Sequence, residues 1–421
     1  MALGAEGAQK MKQFFAVDSA TVIDAFPWRP LWDDQLIGAS DITAESQYQL
    51  PSIKLQGVTH PFLSILNQCV ESNDADRLLW VLRGGLATSL PSAIVSEHIL
   101  PWLFNLACSF GIRDDVAITS VNISVNIIRT FNWQECQFPL TFMHFLSPIL
   151  SLGPLTSAVS VFDLPNVAIS PPHDPITRNI ILGRIIFVVQ SMSQLNAPLP
   201  SPEKLTIFCL LLYLEPSTPA YLRRNLSLFL DDMIDSVSAD RSLYDDGFVL
   251  VLCRKVVDSV SGFRLIEKYQ ILNCLFGGHA TSRHFRRWLA IGLLQPDVVQ
   301  SLQWPQFKQP PSLLPLVSLL DTKTNSSSPL RISAATNYGD LFHQIEIIGI
   351  ALTDVRIYDV QATEMDKVLA GLEYLHGRID DARAAFLDRT RVKDAIQRMR
   401  YRVLYQFQHK TKATIDSMFQ R

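Results

Sequence analysis

Histidines, paired acids and thiols are the residues most able to do chemistry in this chain, and their spacing does not assemble a reaction centre. The nine histidines are scattered; the closest pair, His279 and His284, stands beside Arg283, Arg286 and Arg287 without the carboxylate spacing that a metal site needs. That arrangement reads as solvated or capping histidines. Asp231-Asp232 and Asp245-Asp246 read as acids at helix ends, where carboxylates complement the helix dipole. Six cysteines, at 69, 108, 136, 209, 253 and 274, include no CxxC pair and most fall on apolar helix faces, the pattern of buried free thiols in a reducing compartment. The chain contains no GxxxxGK[ST] loop, no GxGxxG after a strand, no HExxH and no GxSxG. No catalytic residue, cofactor or metal site is therefore expected, and the chain reads as a non-enzyme.

Charge offers a different kind of chemistry. The whole chain has a net charge of -3, but residues 376–421 carry eleven Lys or Arg against five acids. Within them Arg391, Lys393, Arg398 and Arg402 lie on a predicted helix whose apolar stripe is Val392, Ile396, Met399, Val403 and Phe407. Arg391, Arg398 and Arg402 share one face away from that stripe, and Asp394 pairs with Arg398 at i, i+4. A solvated face, an acidic protein partner and DNA phosphate all fit such a face. Near the start, Met11 is followed at +3 and +4 by Phe14 and Phe15. This resembles a sliding-clamp-binding box in which Ala8 stands where glutamine is expected. The segment Phe26-Pro27-Trp28-Arg29-Pro30-Leu31-Trp32 must be extended or turned around its prolines. Trp28 and Trp32 make it a strap that lies either on its own domain or in a partner.

The elements that must position these residues are helical. Hydrophobic residues are 48% of the 421 and charged residues 18%, so a large core is available. From Ser201 to Leu294 five helices follow one another, broken at Pro216–Pro219, Ser238–Ser242, Ser261-Gly262 and Gly277-Gly278. Thr218 reads as an N-cap with Pro219 at the first helical position. The core faces are Leu222, Leu226, Phe229, Met233 and Val237, then Val249, Leu252, Val256 and Val260, then Leu265, Tyr269, Leu272 and Phe276. Helix starts near 202, 242 and 280 imply a two-helix repeat of about 40 residues, as in HEAT arrays. The expected fold is all-α: a HEAT-like α-solenoid with a long C-terminal helix. Its expected divisions are a helix and strap over 1–58, a helical-repeat domain over 59–408 with mobile loops near 153–174 and 309–338, and a basic tail over 409–421. The apolar runs at 180–189 and 205–214 fall short of the ~20 residues that span a bilayer, and no secretory h-region opens the chain. A soluble intracellular protein is expected.

Four segments carry a family resemblance: Leu222–Asp235 (LRRNLSLFLDDMID), Lys268–Phe276, Arg283–Leu294 (RHFRRWLAIGLL), and Leu372–Ile379 with Arg389–Met399 (RTRVKDAIQRM). Together, over roughly residues 60–407, they resemble the CANIN domain of the Nse-six-type subunits and of the vertebrate localisation factor of the Smc-five/Smc-six complex. The resemblance implies a non-enzymatic subunit that pairs with an Nse-five-type partner and docks on the Smc heads or arms. Such a subunit restrains ATP hydrolysis, promotes loading on DNA for repair and works in the nucleus, in an obligate hetero-oligomer touching DNA weakly or indirectly. Members usually carry a long disordered N-terminal region; here its recruitment motifs are either absent, reduced to residues 1–58, or outside the given sequence. A generic HEAT-like scaffold of another intracellular assembly, such as transport or trafficking, is the alternative.

Overall fold

The computed structural model describes residues 31–32, 50–52, 60–85, 90, 94–130, 140–154, 174–195, 197–239, 247–325, 328–380 and 387–419, and among them no strand occurs. The protein is all-α. The first helices are α1 (Pro61–Glu71), α2 (Ala75–Arg83), α3 (Leu100–Cys108, entered through a π-helical turn at Val95–Ile99), α4 (Asp114–Thr130) and α5 (Phe142–Ser151). The middle comprises α6 (Pro175–Gln194), α7 (Pro202–Leu214), α8 (Ala220–Ala239), α9 (Phe248–Ser259), α10 (Leu265–Cys274) and α11 (Ala280–Leu294). Three short helices follow, α12 (Pro296–Gln300), α13 (Trp304–Phe307) and α14 (Leu314–Leu320). The chain then forms α15 (Tyr338–Ala351), a 3-10 turn (Val355–Gln361), α16 (Ala362–Arg378) and α17 (Leu387–Phe419).

Local chemistry explains many of the helix starts. Asp74 caps α2 by accepting the Arg77 N–H at 2.9 Å, and Asp174 caps α6 by accepting from Ile176 and Thr177 at 3.0 Å, with Pro175 at the first position. Asn337 does the same for α15 through Gly339 and Asp340. At α10 the roles reverse: Glu267 reaches back to the Arg264 N–H at 2.7 Å. α7 is buried on every side over Leu205 through Leu212, where the hydroxyl of Thr206 is the one polar side-chain group. Thr206 satisfies that hydroxyl on the Pro202 carbonyl at 2.7 Å. A helix apolar all round belongs in the middle of the body.

Packing runs in chain order. One set of contacts passes α2 to α4, α4 to α6, α6 to α8, α8 to α11, α11 to α15 and α15 to α17. A second set lies against it: α3 on α4, α7 on α8, and α9 and α10 on α11. Near-neighbour stacking of this kind is what a helical array requires. The even repeat expected over 201–294 does not hold, because the helices there begin at 202, 220, 248, 265 and 280. Ser242 lies outside the described residues.

Several expectations are corrected. Thr218 does not cap α8; its hydroxyl donates to the Leu212 carbonyl at 2.8 Å and ties down the end of α7. The stretch 309–338 is not all loop. It contains α14, and beyond it the buried Ser328 hydroxyl donates to the Leu319 carbonyl at 2.6 Å beside buried Leu330. Its prolines punctuate without unfolding it, since Pro315 sits in the first turn of α14. The tail over 409–421 is no separate unit, because α17 continues to Phe419. The loop expected at 153–174 lies mostly outside the described residues.

Gly371 marks a close helix approach. A Cβ built there would stand 2.7 Å from Leu320 Cβ and 3.3 Å from the Leu320 carbonyl oxygen, so α16 meets α14 backbone to backbone. Gly371→Ala is expected to destabilise the protein by about 1–3 kcal/mol, because backbone cannot swing aside as a side chain does. Thermal unfolding measures it; an unchanged midpoint would show that the two helices separate at little cost.

Candidate interaction surfaces

Of the strap and N-terminal candidates, Phe14, Phe15 and Trp28 lie outside the described residues. Trp32 is described, and it is 2% exposed. Its ring lies 4.4 Å from the Arg178 guanidinium carbon, inside the body, and Leu31 beside it donates its N–H to the Glu215 carboxylate. As an anchor reaching into a partner, Trp32 is therefore corrected: the ring is already spent on its own chain. A second stretch also docks, with the Leu50 N–H on Asn73 Oδ1 at 3.0 Å and the Pro51 carbonyl accepting from Trp102 Nε1 at 2.8 Å.

The basic face of α17 exists, but its arginines are partly engaged. Arg391 lies 4.8 Å over the Phe342 ring, Arg398 stands 3.8 Å from Glu346, and Arg402 donates to the Gly349 carbonyl at 2.7 Å. These partners climb α15 in the same order as the arginines climb α17, so the two helices run parallel. The Arg400–Glu373 pair at 3.1 Å and the Arg389 donor to the Asp380 carbonyl at 3.0 Å place α16 antiparallel on the other side. Lys393 is half-buried, roughly 200° around the helix from Arg391, and does not join the arginine face. Arg391 and Arg398 still have side chains 64% and 72% exposed. At that exposure their ion pairs contribute on the order of 0.2–1 kcal/mol each, which leaves them open to a better acid. Spacing alone could not reveal α15, because the residues that receive these arginines are 49 to 53 positions upstream.

Sequence reasoning passed over Tyr401 and Tyr405. One helical turn apart, they are 64% and 61% exposed and line an open recess with Arg402 and Leu404. Tyrosine beside arginine is the composition of interface centres. The signal was available: 391, 398, 401 and 405 share one face at heptad-like spacing. On α6, Ile176, Ile180 and Phe187 are exposed along one edge as well.

The described polar clusters turn out to be structural; Asp245 and Asp246 lie outside the described residues. Asp231 is not at a helix end but within α8 and 4% exposed; it accepts the Gly277 and Gly278 N–H groups at 3.3 and 2.9 Å and the buried Ser282 hydroxyl. His279 places Nε2 3.2 Å from Asp232 and Nδ1 3.5 Å from Asp235, which holds the start of α11 against α8. His284 is half-buried rather than solvated, its Nε2 on the Phe307 carbonyl and its ring edge-on to Phe307, and burial pushes its pKa down. Among the described residues no group of three or more His, Cys, Asp or Glu is arranged to hold a metal ion, and none of the helices is long and apolar enough to cross a membrane. Cys69, Cys108, Cys209, Cys253 and Cys274 are buried and free. Burial pushes all five thiols up, Cys274 to about 12, so almost none is thiolate at neutral pH. Alkylation of the folded protein is expected to leave these five unlabelled until denaturant is added, read by mass spectrometry.

No protein-family model matches the chain, and no curated protein matches it.

Proposed function

We propose that this chain is a non-enzymatic subunit of the Smc-five/Smc-six chromosome-maintenance complex. In that role it pairs with an Nse-five-type partner, docks on the Smc heads or arms, restrains ATP hydrolysis and promotes loading on DNA in nuclear DNA repair. The observation that carries the reading is where the segments of the resemblance fall. Leu222–Asp235 lies in α8, Lys268–Cys274 in α10, Arg283–Leu294 in α11, and the final motif in α16 and α17. These helices belong to one run of contacts through α15, so the residues of the resemblance form a single body ending in the Arg–Tyr face of α17. Co-purification from native cells with mass spectrometry tests the reading; recovery of no Smc-five/Smc-six subunit would end it.

The stacked helices by themselves also support a coarser reading, a helical scaffold in another assembly. Nuclear foci after DNA damage favour the first, and cytoplasmic puncta the second.

The α17 face makes a narrower prediction. Arg391→Glu combined with Arg398→Glu is expected to weaken binding to the acidic surface of a partner at least tenfold at low salt. The loss should shrink as salt rises, because the interaction is screened. Arg402 is left intact in this variant, since its guanidinium holds the Gly349 carbonyl. Unchanged affinity with unchanged salt dependence would leave the face solvated and idle.

A further inference from the structure

The place where Leu31 and Trp32 dock is built almost wholly from residues that belong to the helical array. Glu215, 1% exposed at the end of α7, accepts the Ser217 N–H at 3.1 Å and the Ser217 hydroxyl at 2.8 Å through Oε1. Its other carboxylate oxygen takes the Leu31 N–H. Arg178 of α6, 0% exposed, donates to the Ser217 hydroxyl at 2.7 Å, and Asn179 donates to the Ser217 carbonyl at 3.1 Å. Arg223 of α8 donates to the Tyr213 and Glu215 carbonyls at 3.1 and 2.8 Å. Three helices thus fix a carboxylate oxygen and a guanidinium plane, and the strap adds one N–H and one ring.

We propose that this end of α6, α7 and α8 is a docking site for a peptide segment carrying an aliphatic–aromatic pair, and that Leu31–Trp32 is its tethered, displaceable occupant. The recognition is chemically simple. Glu215 reads a main-chain N–H, which any residue except proline presents. Arg178 reads the face of the next residue's ring, an attraction of cation to π density. Trp32 Nε1 is buried with no hydrogen-bond partner, so the indole N–H is not part of what the site reads, and phenylalanine meets the same requirement. A tether of this kind works at millimolar effective concentration, so a free competitor succeeds only when the strap is cut or the competitor is tight. This inference stands apart from the Smc-five/Smc-six reading, and neither fails with the other.

The test uses the full chain with a protease-cleavage sequence placed between residues 36 and 45, so that cutting frees the strap without removing it. Circular dichroism verifies that the cut protein stays helical. A fluorescein-labelled peptide of residues 26–36 is then titrated and followed by anisotropy. Saturable binding is expected to the cut protein and at least tenfold weaker binding to the uncut one. A Trp32→Ala peptide should bind at least tenfold more weakly than the natural peptide, and a Trp32→Phe peptide within about threefold of it. No uptake by the cut, helical protein would overturn the proposal, as would binding indifferent to Trp32→Ala.

Discussion

Leu252→Asp is expected to leave the chain unfolded at neutral pH. Leu252 is fully buried on α9, in line with Val249 and Val256, and α9 lies against α7 and α11. Two losses add. Roughly 2–3 kcal/mol of apolar burial disappears, and an unpaired carboxylate must leave water, which costs several kcal/mol more. Native domains have only about 5–15 kcal/mol in total, so the sum removes most of it. The adjacent position is the control. Val251 is 46% exposed, and Val251→Asp is expected to stay within about 0.5 kcal/mol of the parent. The pH dependence has a definite sign. Burial raises the introduced carboxyl's folded-state pKa above its unfolded value, so the penalty is greatest at neutral pH and relaxes as pH falls towards that unfolded value. Circular dichroism against temperature at pH 7 and pH 5 measures both effects. A helical Leu252→Asp protein at pH 7, as stable as Val251→Asp, would show that α9 turns a different face inward.

How that face could be read beforehand is plain from the steps. Leu222, Leu226, Phe229, Met233 and Val237 are all buried on α8, and Val249, Leu252 and Val256 likewise on α9 with Val260 at its cap, because a period of 3.6 leaves a helix only one way to hide its stripe. The same arithmetic overshoots at Phe276, which is exposed. α10 stops at Cys274, and Leu275 takes extended angles (φ -86, ψ 98), so the next residue leaves the helix face. The glycines after it can take the left-handed conformation, and Gly277 does, with φ +70; a Cβ there would strike Arg283 Cγ at 2.7 Å. What spacing could not show were pairings across long separations. Glu215 serves Leu31 from 184 positions away, and Arg402 reaches Gly349 from 53 away. Spacing left Trp32 either on its own domain or in a partner, because Arg178, whose guanidinium forms its shelf, lies far along the chain. The arginine face of α17 was legible as charge, whereas its packing on α15 was not, since the contacts lie about 50 positions apart.

Asp231→Ala is the second large effect and tests the same kind of hidden pairing. The carboxylate lies inside α8, 46 and 47 positions from the two glycine N–H groups it accepts, and the Ser282 hydroxyl completes the set. Removing it strands buried donors, and bonds to a charged acceptor are stronger than neutral ones. A loss of about 3 kcal/mol is expected. Asp231→Asn separates shape from charge: the amide keeps an oxygen for part of the loop but turns an NH2 on the remaining donors, so it should recover only part of the loss. Ser282→Ala, by contrast, leaves the carboxylate its two backbone partners and is expected to cost about 1–2 kcal/mol. Because Asp231 and Ser282 share one hydrogen bond, the double variant should cost less than the two single losses added. The consequence reaches beyond stability. Arg283 donates to the Gly277 and Gly278 carbonyls at 3.1 and 3.0 Å, so the loop that Asp231 holds also aims the first turn of α11, and α11 carries α15. Hydrogen exchange should therefore quicken in 275–285 before it does so elsewhere. An Asp231→Ala protein that loses less than about 1 kcal/mol would mean that water already reaches the loop's donors and that α8 and α11 are held by apolar contact alone.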